Sequence, residues 1–222
     1  MIAGCIANLD SPVSLYALKP RFQALLRPRV TRMAERGTTA NQVTLAAAAG
    51  SLVVGLGVAW LSDLRILFLL LPVWLAIRMA LNAIDGMLAR EFGQKSLLGA
   101  YLNEIADVVS DAALILPFAT LPVFGPFWTG AVIVLAVISE FAGVMGPLVG
   151  ASRRYDGPLG KSDRAFVFGA LGLWIGLGLP LPGWFAWLMP LAVLFLTLTI
   201  VNRVHKGLRE ARAEQAQQWQ EP

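Results

Sequence analysis

The chain has 222 residues, 57% of them hydrophobic and 14% charged, with a formal net charge of +4. Soluble domains carry about 25% charged residues, and a lone Cys and a lone His exclude an intrachain disulfide and a zinc site built from thiolate and imidazole. Three windows, 37–62, 112–139 and 165–202, contain no Asp, Glu, Lys or Arg. A bilayer span needs about 20 apolar residues, so the composition reads as an all-α polytopic membrane protein.

Residues 1–14 lack a basic n-region and an apolar h-region, so no cleaved signal peptide is expected there, and Cys5 reads as inert. The stretch "SLYALKPRFQALLRPRVTRMAERG" mixes basic and apolar residues and predicts an amphipathic helix on the membrane surface, interrupted at Pro20 and Pro28. Six transmembrane helices follow, over roughly 42–62, 66–90, 97–121, 127–149, 162–179 and 184–204, punctuated by "SDLR", "LPVFGPF" and "PLPG". The chain thus divides into an N-terminal segment (1–40), a six-helix membrane domain (41–204) and a polar tail (205–222) with His205 on a solvated face. No internal repeat and no second domain is evident.

Lys and Arg gather on one side of these spans. That side takes the N-terminal basic cluster, Arg90 and Lys95, then Arg153, Arg154, Lys161 and Arg164, and finally Arg203, Lys206, Arg209 and Arg212. The other side has Arg65, and Arg78 lies within the second span. The positive-inside rule places both termini in the cytoplasm. The same topology explains the isoelectric point of about 9.6, and no nucleic-acid motif accompanies it.

Polar residues interrupt the second and third spans at helical spacing. Arg78, Asn82, Asp85 and Ala89 form one stripe, and Gly99, Asn103, Asp107 and Asp111 another. The two stripes face each other across an antiparallel pair, with Gly86, Ala89, Gly99 and Ala100 permitting close approach. At about 1.5 Å per residue, Asn82 and Asp107 lie roughly 12 Å from their helix ends, inside the cytoplasmic half of the bilayer. Intramembrane carboxylates are costly and usually functional. An all-oxygen set of Asp85, Asp107, Asp111, Asn82 and Asn103 suits Mg²⁺, Mn²⁺ or Ca²⁺. The competing expectation is a structural network, with Arg78 paired to an acid such as Asp85. Glu104 is off the stripe and reads as a packing or rim residue. Glu140 either orients a polar ligand or pairs with Arg78.

The stretch "NAIDGMLAREFGQKSLLGAYLNEIADVVSD" resembles the signature of the CDP-alcohol phosphatidyltransferases, D-x2-D-G-x2-A-R-x8-G-x3-D-x3-D. Every spacing agrees. Asp85, Gly86, Ala89, Arg90, Gly99 and Asp107 match in identity, while Asn82 and Asn103 stand at the first and third acidic positions. The resemblance implies transfer of a phosphatidyl group from a CDP-diacylglycerol-type lipid to a small polar alcohol, with release of CMP and use of Mg²⁺ or Mn²⁺. It implies Asp107 as the base and Asp85 as a metal ligand. It also gives Gly86, Ala89, Gly99 and Arg90 a place in the nucleotide and phosphate site, with Asn41 and Thr44 of "ANQVT" at the cytidine end.

Two asparagines at acidic positions predict a modified site, holding one metal firmly and a second weakly if at all, with Asp111 positioned to restore a charge. Arg153, Arg154, Lys161 and Arg164 are candidates for binding a phosphorylated acceptor, or else ordinary positive-inside residues. The active site is expected to face the cytoplasm of a bacterial-type inner or plasma membrane, and small-residue helix faces permit a homodimer. The alternatives are a catalytically degenerate relative that binds CDP-lipid or headgroup beside a partner enzyme, and a small transporter. Polar residues stop in the cytoplasmic half, so a through-path is poorly supported.

Overall fold

The computed structural model describes residues 15–218. The readings of residues 1–14, Cys5 among them, and of residues 219–222 lie outside it. The described residues form seven α-helices and no strand: α1 (Leu15–Glu35), α2 (Ala40–Trp60), α3 (Leu70–Glu91), α4 (Leu97–Ile115), α5 (Pro126–Val144), α6 (Lys161–Gly176) and α7 (Leu188–Gln218). Short 3-10 turns at Arg65–Leu69, Leu116–Thr120, Gly146–Val149 and Gly183–Trp187 lead into or out of them.

Helix starts follow from local chemistry. Thr39 and Gln42 make a reciprocal capping box at α2, with Gln42 N donating to Thr39 Oγ1 at 3.2 Å and Thr39 N to Gln42 Oε1 at 3.0 Å. Ser96 caps α4 by accepting from Gly99 N at 2.9 Å. Asp163 reaches back to Gly160 N at 2.9 Å ahead of α6. Each satisfies a backbone donor that the first turn leaves unpaired.

Several boundaries differ from expectation. The helix expected over 97–121 leaves α geometry after Ile115, because Pro117 lacks an N–H and its ring crowds the preceding turn. Pro147 likewise follows the end of α5 at Val144, within the stretch expected to stay helical to 149. In contrast, α1 runs unbroken through Pro20 and Pro28. Leu26 and Val30, on either side of Pro28, are buried with Ile84, Met87 and Leu88 of α3, and Arg27 donates twice to Glu91, each time at 3.1 Å. This packing offsets the proline cost of about 3 kcal/mol. α7 continues past 204 to Gln218 as one helix, carried by Ala, Arg, Glu and Gln with high helix propensity.

Helix α2 packs on α3 and α4, α5 on α7, and α3 on α6. At Gly55 a Cβ would stand 2.1 Å from the carbonyl oxygen of Ala113, so α2 and α4 touch backbone to backbone. One end of the bundle is filled by Phe68, Phe118, Phe124, Phe168 and Phe185 in a single buried apolar cluster. The other end carries the α3–α4 turn, the 150–160 loop and the basic residues.

Large apolar side chains such as Leu45, Val53, Leu56, Val73 and Phe166 are exposed around the outside, which suits a lipid exterior. Trp60, Trp128, Trp184 and Trp187 are exposed at the phenylalanine end, where an aromatic belt meets the interface. Four helical stretches are long and apolar enough to cross a membrane, namely Ala40–Trp60, Arg65–Glu91, Pro126–Val144 and Gly183–Gln217. α4 falls outside that group because of its polar stripe, and α6 because it is 16 residues long with Lys161, Asp163 and Arg164 in its first turn.

Candidate active site

The site begins where α2, α3 and α4 meet. Gln94, in the turn between α3 and α4, accepts from Ala40 N at 2.7 Å and donates to Thr38 O at 3.2 Å. This tie fixes the start of α2 above the polar stripes. Thr44 is thereby placed to donate from Oγ1 to Asp85 Oδ2 at 2.8 Å, while also bonding Ala40 O at 3.1 Å. Asp85 is 6% exposed. Its Oδ1 has no side-chain donor among the described residues.

The motif glycines are where neighbouring side chains come close. A Cβ at Gly99 would stand 2.8 Å from Asn41 Oδ1 and 2.9 Å from Ser96 Oγ. A Cβ at Gly86 would stand 2.8 Å from Nη2 of Arg90, whose guanidinium lies over that glycine. The structure therefore brings Asn41, Thr44, Asp85, Gly86, Arg90 and Gly99 into one region, with Asn82 and Ala89 on the α3 stripe and Asn103 on the α4 stripe.

Asp107 anchors the α4 side. Its Oδ1 accepts from Nη2 of Arg78 at 3.2 Å and contacts the Lys161 ammonium. Arg78 Nη2 also donates to the Asp107 main-chain oxygen at 3.1 Å. Asp107 Oδ2 has no donor among the described residues. Arg78 thus pairs with Asp107 and Asp111 rather than with Asp85.

Below this lies a chain of buried charges. Arg78 Nη1 donates to Asp111 Oδ1 at 2.6 Å, and Arg164 Nη2 donates to Asp111 Oδ2 at 2.7 Å. Arg164 Nη2 also reaches Glu140 Oε1 at 2.8 Å, and Arg203 Nη1 lies 3.4 Å from Glu140 Oε2. Side-chain exposure falls from 29% at Lys161 and 15% at Asp107 to 2% at Arg164 and Arg203. Solvent therefore reaches the Asp107 end and not the deeper pairs.

This geometry separates residues that spacing alone grouped. Both oxygens of Asp111 are engaged by guanidinium groups, which leaves it in the ion-pair chain. Arg153 turns to Glu104 and lies over the Tyr155 ring at 4.9 Å. Arg154 pairs with Asp156 at 2.7 Å and contacts Glu210. Of the four basic residues considered for an acceptor, Lys161 alone faces Asp107. Sequence reasoning missed Gln94, and it counted Arg203 only as a topology residue. The usable signal for Arg203 was Glu140, an intramembrane acid that requires a buried cation.

Among the described residues no three His, Cys, Asp or Glu side chains converge as a metal site. The hard oxygen donors Asp85 and Asp107, with the Asn82 and Asn103 amides on the same stripes, fit one divalent cation of the Mg²⁺ or Mn²⁺ type by donor chemistry. The free Oδ2 of Asp107 is consistent with that role.

Comparison with known proteins bears on the same region. A family model for CDP-alcohol phosphatidyltransferase matches residues 37–198. Inner membrane protein YnbA of Escherichia coli (strain K12) is 46% identical over 199 residues, covering 88% of this chain and 97% of YnbA. Mycobacterium tuberculosis phosphatidylinositol phosphate synthase (PgsA1) with CDP-DAG bound superposes with a TM-score of 0.67 at 20% identity, covering 81% of this chain and 92% of that one. The same synthase in complex with manganese and citrate gives a TM-score of 0.65 at 21% identity, covering 82% and 88%. At these identities the structural likeness establishes the fold.

Proposed function

The chain belongs to the CDP-alcohol phosphatidyltransferase family and is an integral membrane enzyme of that class, and from this premise we propose the following reaction. A phosphatidyl group passes from a CDP-diacylglycerol-type lipid to the hydroxyl of a small polar alcohol. The acceptor oxygen bonds the lipid-side phosphorus, the bond from that phosphorus to the bridging oxygen breaks, and CMP leaves with that oxygen. The observation that carries the reading is that α2 bonds Asp85 of α3 through Thr44 and meets Gly99 of α4 through Asn41, while Arg78 and Lys161 hold Asp107 on α4.

Asp107 takes the proton of the acceptor hydroxyl, with Arg78 holding its carboxylate and main-chain oxygen. Arg90 pairs with donor phosphate, and Gly86 and Ala89 leave space beside it. Asn41 and Thr44 orient the cytidine end. Asp85 and Asp107, with Asn82 and Asn103, hold a divalent cation, which supplies charge neutralisation for the diphosphate. Manganese in one PgsA1 complex and CDP-DAG in another support this assignment of metal and donor.

The membrane arrangement that best accommodates this chemistry has α2 to α7 as six spans. α1 lies along the cytoplasmic surface, residues 41–204 form the membrane domain, and the extension of α7 past 204 is cytoplasmic. A lipid donor then keeps its acyl chains in the bilayer while its diphosphate enters at the basic end. Arg153, Arg154 and Arg164 are already paired within the protein, which supports an acceptor whose hydroxyl-bearing body carries no phosphate of its own. Small-residue faces allow a homodimer.

Purified protein in nanodiscs, supplied with CDP-diacylglycerol and Mg²⁺ or Mn²⁺, tests the reading. CMP release is measured against glycerol, serine, inositol, glycerol 3-phosphate, inositol phosphate and phosphatidylglycerol. Release that depends on one unphosphorylated alcohol is expected; no release with any acceptor would overturn the proposal.

A further inference from the structure

We propose that the Lys161 ammonium is a resident cation of the transfer site, so that the donor diphosphate is taken with one divalent ion rather than two. The inference rests on the transferase reading and specifies how its site is charged.

Charge counting carries it. Around the site stand four carboxylates, those of Asp85, Asp107, Asp111 and Glu140. Four cations pair with them: Arg78 and Lys161 at Asp107, then Arg164 and Arg203 deeper in the bundle. These pairs sum to neutrality, and Arg90, over Gly86 and in no ion pair among the described residues, adds one positive charge at the phosphate side. A diphosphate diester brings about two negative charges, so one divalent ion leaves an excess of about one positive charge. A second divalent ion would raise that excess to about three in a low-dielectric site, where unmatched charge is costly. Asn82 and Asn103 fit this balance, since their amide oxygens ligate without adding charge.

The chain around Lys161 holds its ammonium against Asp107. Lys161 is the first residue of α6. The loop before it is pinned to α7, with Leu159 N donating to Thr199 Oγ1 at 3.2 Å. Gly157 has φ +130°, and a Cβ there would stand 2.5 Å from Thr199 Cγ2, so the loop approaches α7 as closely as glycine allows. The ammonium contacts Asp107 on Oδ1 and leaves Oδ2 for another ligand.

The test counts Mn²⁺ bound per chain, by electron paramagnetic resonance of the remaining free ion, in purified protein with CDP-dioleoylglycerol. Wild type and Lys161→Arg are expected to bind one Mn²⁺ each. The double variant Lys161→Met with Asn103→Asp exchanges a cation for a carboxylate and is expected to bind two. Lys161→Met alone is expected to weaken donor binding about tenfold, which corresponds to one opposite charge in a partly screened site. Two Mn²⁺ or none in wild type, one in a folded double variant, or unchanged donor binding in Lys161→Met would each overturn the inference. If the double variant does not fold, the wild-type count and Lys161→Met binding still decide. Absence of CMP release with a count of one would instead remove the transferase reading, so the two failures are distinguishable.

Discussion

Arg78 and Asp111 are joined by a 2.6 Å hydrogen bond between Nη1 and Oδ1, while the other Arg78 nitrogen holds Asp107 one turn away. One guanidinium from α3 thus fixes two successive acids of α4. Removing it leaves both acids short of a counter-charge. Arg78→Met is expected to cost about 3–5 kcal/mol of stability, the range for breaking a buried pair from one side. Arg78→Lys should recover part of this, because an ammonium reaches as a point charge without the fork. Thermal melting in detergent checks both, and a wild-type melting temperature for Arg78→Met would contradict the bridging role.

Asp107→Asn preserves shape and removes the proton acceptor. CMP release is expected to fall by at least about 10²-fold, the lower range for loss of a positioned base. Helical content should be retained. Release at the wild-type rate would remove Asp107 from that role.

Arg90 is exposed, lies over Gly86, and forms no ion pair among the described residues. Arg90→Ala is therefore expected to leave the melting temperature unchanged and to raise the apparent KM for the CDP-lipid about tenfold, as for loss of a charge-assisted phosphate contact. Steady-state kinetics with varied donor separates this from a change in kcat.

Much of this arrangement is legible in the sequence. The two polar stripes announced themselves because a helix repeats every 3.6 residues and charge inside an apolar run must face inward. The span expected from about 97 begins at Leu97, and the one expected from about 42 begins at Ala40. What the sequence left open was partner choice. Arg78 lies one turn from Asn82 and near Asp85 in the chain, yet its partners are on α4: α3 and α4 each pack on α2 rather than closely on one another as expected, and the long Arg78 side chain spans the gap between their stripes. The basic residues 153, 154, 161 and 164 looked like one cluster because they are close in sequence. A loop followed by a helix start points them in different directions, and only Lys161 meets Asp107. The prolines of α1 misled for a related reason, since burial of Leu26 and Val30 against α3 outweighs a local breaker.

Gly99 shows how a small residue shapes the donor end. Its missing Cβ is where Asn41 Oδ1 and Ser96 Oγ approach, at 2.8 and 2.9 Å. Gly99→Ala is expected to displace Asn41 and disturb the Ser96 cap, at about 1–2 kcal/mol of stability. The larger effect should be a rise in the donor KM, measured alongside the melting temperature. A loss of stability with unchanged KM would separate Asn41 from the nucleotide.

The 150–160 loop is tied to the α7 extension through Asp156, whose carboxylate accepts from Lys206 at 2.8 Å and from Arg154 at 2.9 Å. The hydrogen bond from Lys206, with Arg154 beside it, holds this acid below the ordinary aspartate range. A carboxylate with a depressed folded-state pKa stabilises the fold above its unfolded value, near about 4, and that contribution is lost as pH falls through the lower folded value. The tie should therefore be intact at neutral pH and weaken only below about pH 4. Asp156→Asn removes the charge at every pH. Its melting temperature is expected to lie below wild type at pH 7, with the gap closing as the buffer is taken to strongly acidic values. Because Asp156 is partly exposed, salt should also narrow the gap. A difference between the two proteins that stays constant from neutral to strongly acidic pH would show that the ionised carboxylate does not hold the loop.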